Sequence, residues 1–279
     1  PVSPSAPVAT GDNAVAIGIS YASGLQATAI GIGDNTSAYG ASDTRTSALG
    51  FRAKASNAVT TAIGPLTVAS GSSAMAVGYG ATASGSSSSA FGSYGTASAN
   101  RALVISNASA ANGTEATGQF SVAVGNNAKS ALYGKFAFAN GRFSANGDAQ
   151  IGIFVLRSDT TDATPEALTS RNNAAAADNQ IILPNNSAYA FHGTIVARQQ
   201  ASAGTACAAW KIEGLIRREG SAGTTVLVNS ATTVLDNTPA WGMALSADTT
   251  NGGLKIEVTG AAATNIRWVA TINTSEVTY

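Results

Sequence analysis

Between residues 47 and 106 the sequence repeats every 14 residues. Ser47-Ala-Leu-Gly50, Thr61-Ala-Ile-Gly64, Met75-Ala-Val-Gly78 and Ser89-Ala-Phe-Gly92 stand in register, and the degenerate Leu103-Val-Ile-Ser106 continues the series. A second signal keeps the same spacing: Ala55-Ser56, Ala69-Ser70, Ala83-Ser84 and Ala97-Ser98. Copies that drift in length flank the strict ones, at Val15-Ala-Ile-Gly18, Thr28-Ala-Ile-Gly31, Val122-Ala-Val-Gly125 and Leu132-Tyr-Gly134. Each unit holds two short strand-like stretches separated by Gly, Ser or Asn. Such a unit cannot bury an apolar face alone, so copies must stack into a solenoid. Two-fold alternation puts Ala and Gly on one face of each strand and larger aliphatics on the other. It leaves open whether the aliphatics or the alanines fill the interior of the roll. About nine coils at the ~4.8 Å strand spacing would make a rod of about 45 Å.

Composition separates this stretch from the C-terminal half of the chain. Alanine occupies 57 positions, 34 of them up to Ala149, where 12 charged side chains and no Trp occur. Trp210, Trp241 and Trp268 all come later. The turn chemistry of Asn146-Gly-Asp148 marks the expected boundary. We therefore expect a lead-in over 1–12, a repetitive β-roll over 13–143 and a second domain over 144–279. Pro1-Val-Ser-Pro-Ser-Ala-Pro7 has neither the charged start nor the apolar stretch of a signal peptide. A chain opening there reads as a piece of something longer.

A thin roll with alanine faces has little apolar area of its own, so association with copies of itself is expected. Ala-x-Ala-x-Gly followed by Ala-Ser-Gly resembles the head repeat of YadA-type trimeric adhesins, over roughly residues 11–141. The resemblance implies a left-handed parallel β-roll, a homotrimer and surface adhesion, without naming a ligand.

From Gln150 the pattern becomes one of half-buried antiparallel strands. Trp210, Ile212 and Ile216 alternate with Lys211, Glu213 and Arg217; Leu254, Ile256 and Val258 with Lys255 and Glu257; Ile266, Trp268, Ala270 and Ile272 with Arg267 and Thr271. Turns are expected at 218–223, 235–239 and 247–253. Eight or nine such strands suit a β-sandwich, jelly-roll-like in form. Thr160-Thr-Asp-Ala-Thr-Pro165, Trp210-Lys-Ile-Glu-Gly214, Ala247-Asp-Thr-Thr-Asn-Gly-Gly-Leu254 and Ile266-Arg-Trp-Val-Ala270 resemble the C-terminal domain of bacteriophage tail fibres and tailspikes. That resemblance implies a place on the virion tail, host attachment, and a link to the tail or baseplate through a missing N-terminal part.

Charge and chemistry narrow the function. Fifteen Lys+Arg balance 15 Asp+Glu, which argues against a nucleic-acid binder. No apolar run is long enough for a membrane span. The one histidine, His192, lies in an apolar strand, and the one cysteine, Cys207, between two alanines reads as a small packed residue. No nucleophile–base pair, cofactor motif or multi-Cys metal site is expected, and Asp159-Thr-Thr-Asp162 reads as a solvated turn rather than a cation site. Glycoside hydrolysis needs only two carboxylates, for which Asp43, Glu115, Asp148, Asp159, Asp162, Glu166, Asp236 and Asp248 are candidates that spacing cannot separate.

For binding, the turn after each glycine of the roll stacks Phe51, Pro65, Tyr79 and Ser93 in one column, with Arg52, Leu66, Gly80 and Tyr94 beside it. Phe51, Tyr79 and Tyr94 are the candidate ligand contacts, since sugar rings stack on aromatic faces. The sequence thus leads to an all-β trimeric attachment protein for a bacterial surface polysaccharide. A capsule-depolymerising tailspike and the head of a bacterial trimeric autotransporter adhesin stand as alternatives. The second of these predicts heptads after the head, and none appear.

Overall fold

The computed structural model describes residues 6–109, 113–237 and 239–279. Residues 1–5 of the expected lead-in and Thr238 of the expected 235–239 turn lie outside the described residues. The chain is all-β; among the described residues the one helical element is the 3-10 turn Ala222–Thr224. It forms two compact units, residues 1–131 with 138–146, and 132–137 with 147–279. The second unit thus draws in six residues upstream of the expected boundary at 144.

The first unit is a β-solenoid of about nine turns. Nine long strands, Val15–Ile17 through Phe136–Asn140, form one sheet, and nine two-residue strands, Val8–Ala9 through Lys129–Ser130, form the other. Every pairing resolved within these two sheets is parallel and joins successive coils, as Met75↔Ser89 and Thr82↔Thr96 illustrate. The first rung starts at Val8, inside the expected lead-in.

The open question of the roll's interior is answered by the small residues. Ala29, Ala48, Ala62, Ala76, Ala90, Val104 and Ala123 form one fully buried column, and Ala22, Ala41, Ala55, Ala69, Ala83, Ala97 and Ala116 face it from the other sheet. Two sheets close enough to share one layer of side chains are filled by alanine, and hold the larger Val104 where Gly95 beside it carries no side chain. The larger apolar side chains therefore point outward: Ile17, Ile30, Leu49, Ile63, Val77, Phe91, Ile105, Val124 and Phe138 stand one per rung, none of them buried. Alanine is the filling of the roll rather than its outer contact face.

Each coil turns through two corners that require left-handed backbone. At one corner Gln26, Arg45, Val59, Ser73, Ser87, Arg101 and Phe120 have φ of 54–59°. Each donates its N–H to a carbonyl one coil earlier, as Ser73 does to Ala58 at 3.0 Å. These hydrogen bonds stack corner on corner and offset the cost of placing non-glycine residues there.

In the second unit, five long antiparallel strands run in the order Ala149–Thr160, Ile266–Thr278, Ser187–Gln199, Cys207–Arg218, Val226–Asp236. Gly253–Thr259 pairs with Gly242–Asp248, Glu166–Ala167 and Ile181–Ile182 to make a smaller sheet. Both sheets send side chains into one buried cluster. The tryptophans sit there as alternation requires. Trp268 is fully buried, stacked on Trp210 at 5.7 Å and tilted against Trp241 at 5.7 Å, and its Nε1 donates to Thr160 Oγ1 at 2.9 Å.

A buried ionic group explains why Leu132–Ala137 belongs to this unit. Lys135 Nζ lies 2.6 Å from Glu276 Oε2, which also accepts from Gln150 Nε2 at 2.6 Å, while Oε1 accepts from Thr274 at 2.7 Å. Burial first, and the Glu276 carboxylate second, push the Tyr189 hydroxyl well above its ordinary value of 10.0.

Candidate functional site: the long corner of the roll

The corner joining each long strand to the following short one carries the predicted contacts Phe51 and Tyr94, and Tyr79 ends the long strand that enters it. In the regular coils it passes through a left-handed residue, Arg52, Leu66, Gly80 or Tyr94, with φ of 51–62°. N–H groups of Leu66, Gly80 and Tyr94 bond to the carbonyls of Phe51, Pro65 and Tyr79 at 2.8–2.9 Å, so these corners form a ladder. Phe51 and Tyr94 sit three rungs apart, or about 14 Å at the strand spacing.

Two coils exceed the period, and both do so at this corner. Thr28 pairs with Ser47 and Leu103 with Val122, each five residues beyond the 14-residue period, while the regular coils lie between them. Ile32, fully buried, pins the first enlarged corner: its N–H donates to Ser20 Oγ at 3.1 Å and its carbonyl accepts from Arg52 at 2.8 Å. Asp34 Oδ1 accepts from the Thr36 hydroxyl at 2.6 Å and its N–H at 2.8 Å, and these bonds hold the carboxyl below its ordinary value. In the second, Ser93 Oγ donates to Ala108 O at 2.6 Å, and Gly113 packs on the Tyr94 carbonyl so closely that a Cβ would lie 2.6 Å from it. The aromatic column is thus bracketed by two loops, the usual carriers of recognition on a rigid scaffold.

Within the bracket the three predicted residues form two clusters. Tyr79 and Tyr94 meet edge to face with centroids 5.2 Å apart, and the Tyr94 ring lies over Gly80, where a Cβ would come within 3.0 Å. A side-chain hydrogen bond with Tyr79 raises the Tyr94 hydroxyl above its ordinary value, burial adding to it. Phe51 belongs to the other cluster. Its ring covers Gly33, and Arg52 lies 5.1 Å from it and 5.6 Å from Tyr39. Pro65 and Leu66, both exposed, stand between the clusters. Tyr39 and Asp34 escaped the periodic reading because they lie in the enlarged corner; the departure from period was their signal. The surface offers exposed ring faces at Phe51 and Tyr79, one guanidinium and one carboxylate, without an enclosed cavity. That suits an extended, hydroxylated chain laid along the ladder.

The other candidates separate clearly. Cys207 is exposed, not packed: it faces outward opposite Arg198, because the strand's alternation gives the interior to Ala208 and Trp210. His192 is also outward, between Asn273 and Glu213 in register. Asp162 Oδ1 accepts from the Thr164 N–H at 2.7 Å, and Asp248 caps Thr250 and Asn251. Glu115 lies 3.6 Å from Lys129, and Asp43 accepts from Thr44. Of the eight carboxylates, Asp159 and Glu166 line one cleft, of about 340 Å³. Among the described residues no group of three or more His, Cys, Asp or Glu is placed to hold a metal ion, and no helix is long and apolar enough to cross a membrane.

The YadA head domain repeat (2 copies) family matches residues 9–33, 69–94, 112–128 and 116–144. No curated protein matches the sequence. Similar solved structures include the tailspike protein gp49 from Acinetobacter baumannii bacteriophage Fri1, a capsular polysaccharide depolymerase, at 9% identity and a TM-score of 0.26 over 84% of this chain and 44% of that one. The Acinetobacter baumannii phage AM24 tailspike protein is similar at 10% identity and a TM-score of 0.23, over 82% of this chain and 48% of that one. This chain spans less than half the length of either.

Proposed function

We propose, from a β-roll built of YadA head repeats, that three copies of this chain join through their rolls into the receptor-binding part of a phage tail fibre or tailspike. The trimer attaches to a bacterial surface polysaccharide. In this reading the left-handed roll of residues 13–143 is the shaft and residues 144–279 are a β-sandwich tip. The observation that carries it is the outward column Ile17, Ile30, Leu49, Ile63, Val77, Phe91, Ile105, Val124 and Phe138, unbroken by a polar residue. Such a stripe is costly in water and favourable once covered, and a repeat laid against its own copies matches it rung for rung. The bracketed corner with Phe51, Tyr79 and Tyr94 supports sugar stacking, and three equivalent corners per trimer turn weak contacts into lasting attachment.

Light scattering tests the assembly: a trimer is expected for the native chain, and a lower mass for Ile63→Asp combined with Ile105→Asp. A stable native monomer overturns it. Binding to purified host polysaccharide, with Tyr94→Ala and Phe51→Ala as the variants that lose it, tests the ligand.

A second reading is favoured by one observation. Asp159 and Glu166 share a cleft, so a depolymerase acting through that pair is the enzymatic alternative. Release of oligosaccharides from bound capsule, abolished by Glu166→Gln, would establish it; no release from any capsule that binds would remove it.

A further inference from the structure

At one end of the five long strands of the second unit, Asp159, Arg267 and Arg198 stand side by side on three adjacent strands, each directly opposite the next in register, all on the outward face. Like charges directly opposite each other destabilise an antiparallel pair. A chain with 15 cationic side chains in 279 residues is not forced to place two of them so. Asp159 offsets the repulsion only weakly: its Oδ1 is 3.5 Å from Arg267 Nε, and the Arg267 side chain remains 86% exposed. Arg198 is held differently. Its Nη1 donates to the carbonyls of Gln199, Gly204 and Ala206 at 3.1–3.2 Å, which fixes both the guanidinium and the 199–206 loop.

Facing these arginines are two amides. Asn265 Nδ2 donates to Gln200 Oε1 at 2.9 Å, and the Gln200 N–H to the Asn265 carbonyl at 2.9 Å, joining the loop to its neighbour. Together these residues line a cavity of about 480 Å³, within the roughly 300–1,000 Å³ of small-ligand sites. We infer that this cleft binds the carboxylate of an acidic sugar, a uronic acid residue of the polysaccharide, with Arg267 as the charged contact. A guanidinium fork matches a planar carboxylate, and the incoming anion relieves the Arg–Arg repulsion. Arg198, already fixed, supplies field without losing side-chain freedom on binding. The Gln200 and Asn265 amides are donors and acceptors for ring hydroxyls.

The inference rests on the reading of this chain as a polysaccharide binder, and the two can fail separately. Saturation-transfer difference NMR of sodium D-glucuronate with the full chain is the test, with D-glucose and inorganic phosphate as the other arms. Glucuronate is expected to show transfer that glucose does not, and Arg267→Gln to weaken it about tenfold. Because Arg267 is exposed, that variant should melt with the native protein, which thermal unfolding checks. No transfer from glucuronate at about 50 mM, far above the ~mM affinity of one charge-assisted contact, or unchanged transfer in Arg267→Gln, overturns the cleft assignment. Phosphate that displaces glucuronate at concentrations well below those at which glucuronate itself binds reassigns the anion and overturns the uronate. If whole polysaccharide binds and Tyr94→Ala abolishes it while glucuronate gives nothing, the cleft assignment alone falls. If glucuronate binds but no host polysaccharide does, the attachment reading falls instead.

Discussion

Gly95 and Val104 occupy one volume inside the roll: a Cβ on Gly95 would lie 2.5 Å from Val104 Cγ1. Other coils carry Ala53, Thr67 or Ala81 at the Gly95 position and alanine at the Val104 position, all fully buried. The one enlarged side chain in the column is matched by the one deleted side chain beside it, as close packing requires.

Gly95→Ala should therefore destabilise the roll by about 1–3 kcal/mol through overpacking. In a Val104→Ala background the same substitution should cost less, with the Ser106 Cβ at 2.9 Å left as its nearest neighbour. Chemical denaturation of the four proteins of the cycle measures the coupling, expected at about 1–2 kcal/mol. A coupling near zero would show that the two positions do not share space.

Glycines on the stacking edge differ sharply from those at open corners. A Cβ at Gly78, with φ of 131°, would lie 1.8 Å from the Gly92 carbonyl oxygen, whereas Gly31, with φ of 64°, has nothing within 4 Å. Gly78→Ala should break the coil stacking, cost several times more than Gly31→Ala, and lower yield or Tm accordingly. Gly31→Ala should cost about 1 kcal/mol, the left-handed penalty alone. Equal melting temperatures for the two variants would contradict the packing described.

Lys135→Met should leave the Glu276 carboxylate buried without its cation, at a cost of about 3–5 kcal/mol. Lys135→Met with Glu276→Leu should recover much of that loss, because a buried pair exchanged for apolar groups of similar size is often neutral or better. Thermal unfolding of both proteins gives the comparison; a double variant less stable than the single one would go against it.

The raised Tyr94 hydroxyl predicts a pH effect of definite sign. Below about pH 10 the ring is protonated folded and unfolded, so its contribution is fully present. As pH rises from 10 through the higher folded value, the unfolded chain loses its proton first, and that contribution is lost. Ultraviolet difference titration of the native protein should show two tyrosinates forming late, those of Tyr94 and the buried Tyr189. Tyr79→Phe, which removes the principal cause at Tyr94, should bring that one earlier and leave Tyr189 late. An unchanged titration in that variant would contradict the hydrogen bond.

Much of this protein was legible from residue order. The 14-residue period determined a parallel solenoid and the register of its coils, because stacked repeats can align only like on like. Alternation placed Trp210, Trp268, Ile256 and Ile272 inside the second unit, since a strand has just two faces. Residue order left undecided which face of each roll strand is inner. Tertiary structure decided it by distance: the two sheets lie too close for isoleucine, so Ala62 and Ala76 go in while Ile63 and Val77 go out. Local reading also placed Cys207 in a packed setting, where one step along the strand put it outside. The bracket around Tyr79 and Tyr94, the cleft at Arg267 and the burial of Lys135 against Glu276 all join residues far apart in the chain. No local spacing encodes them, because the contacts exist only once the coils have stacked and the strands have paired.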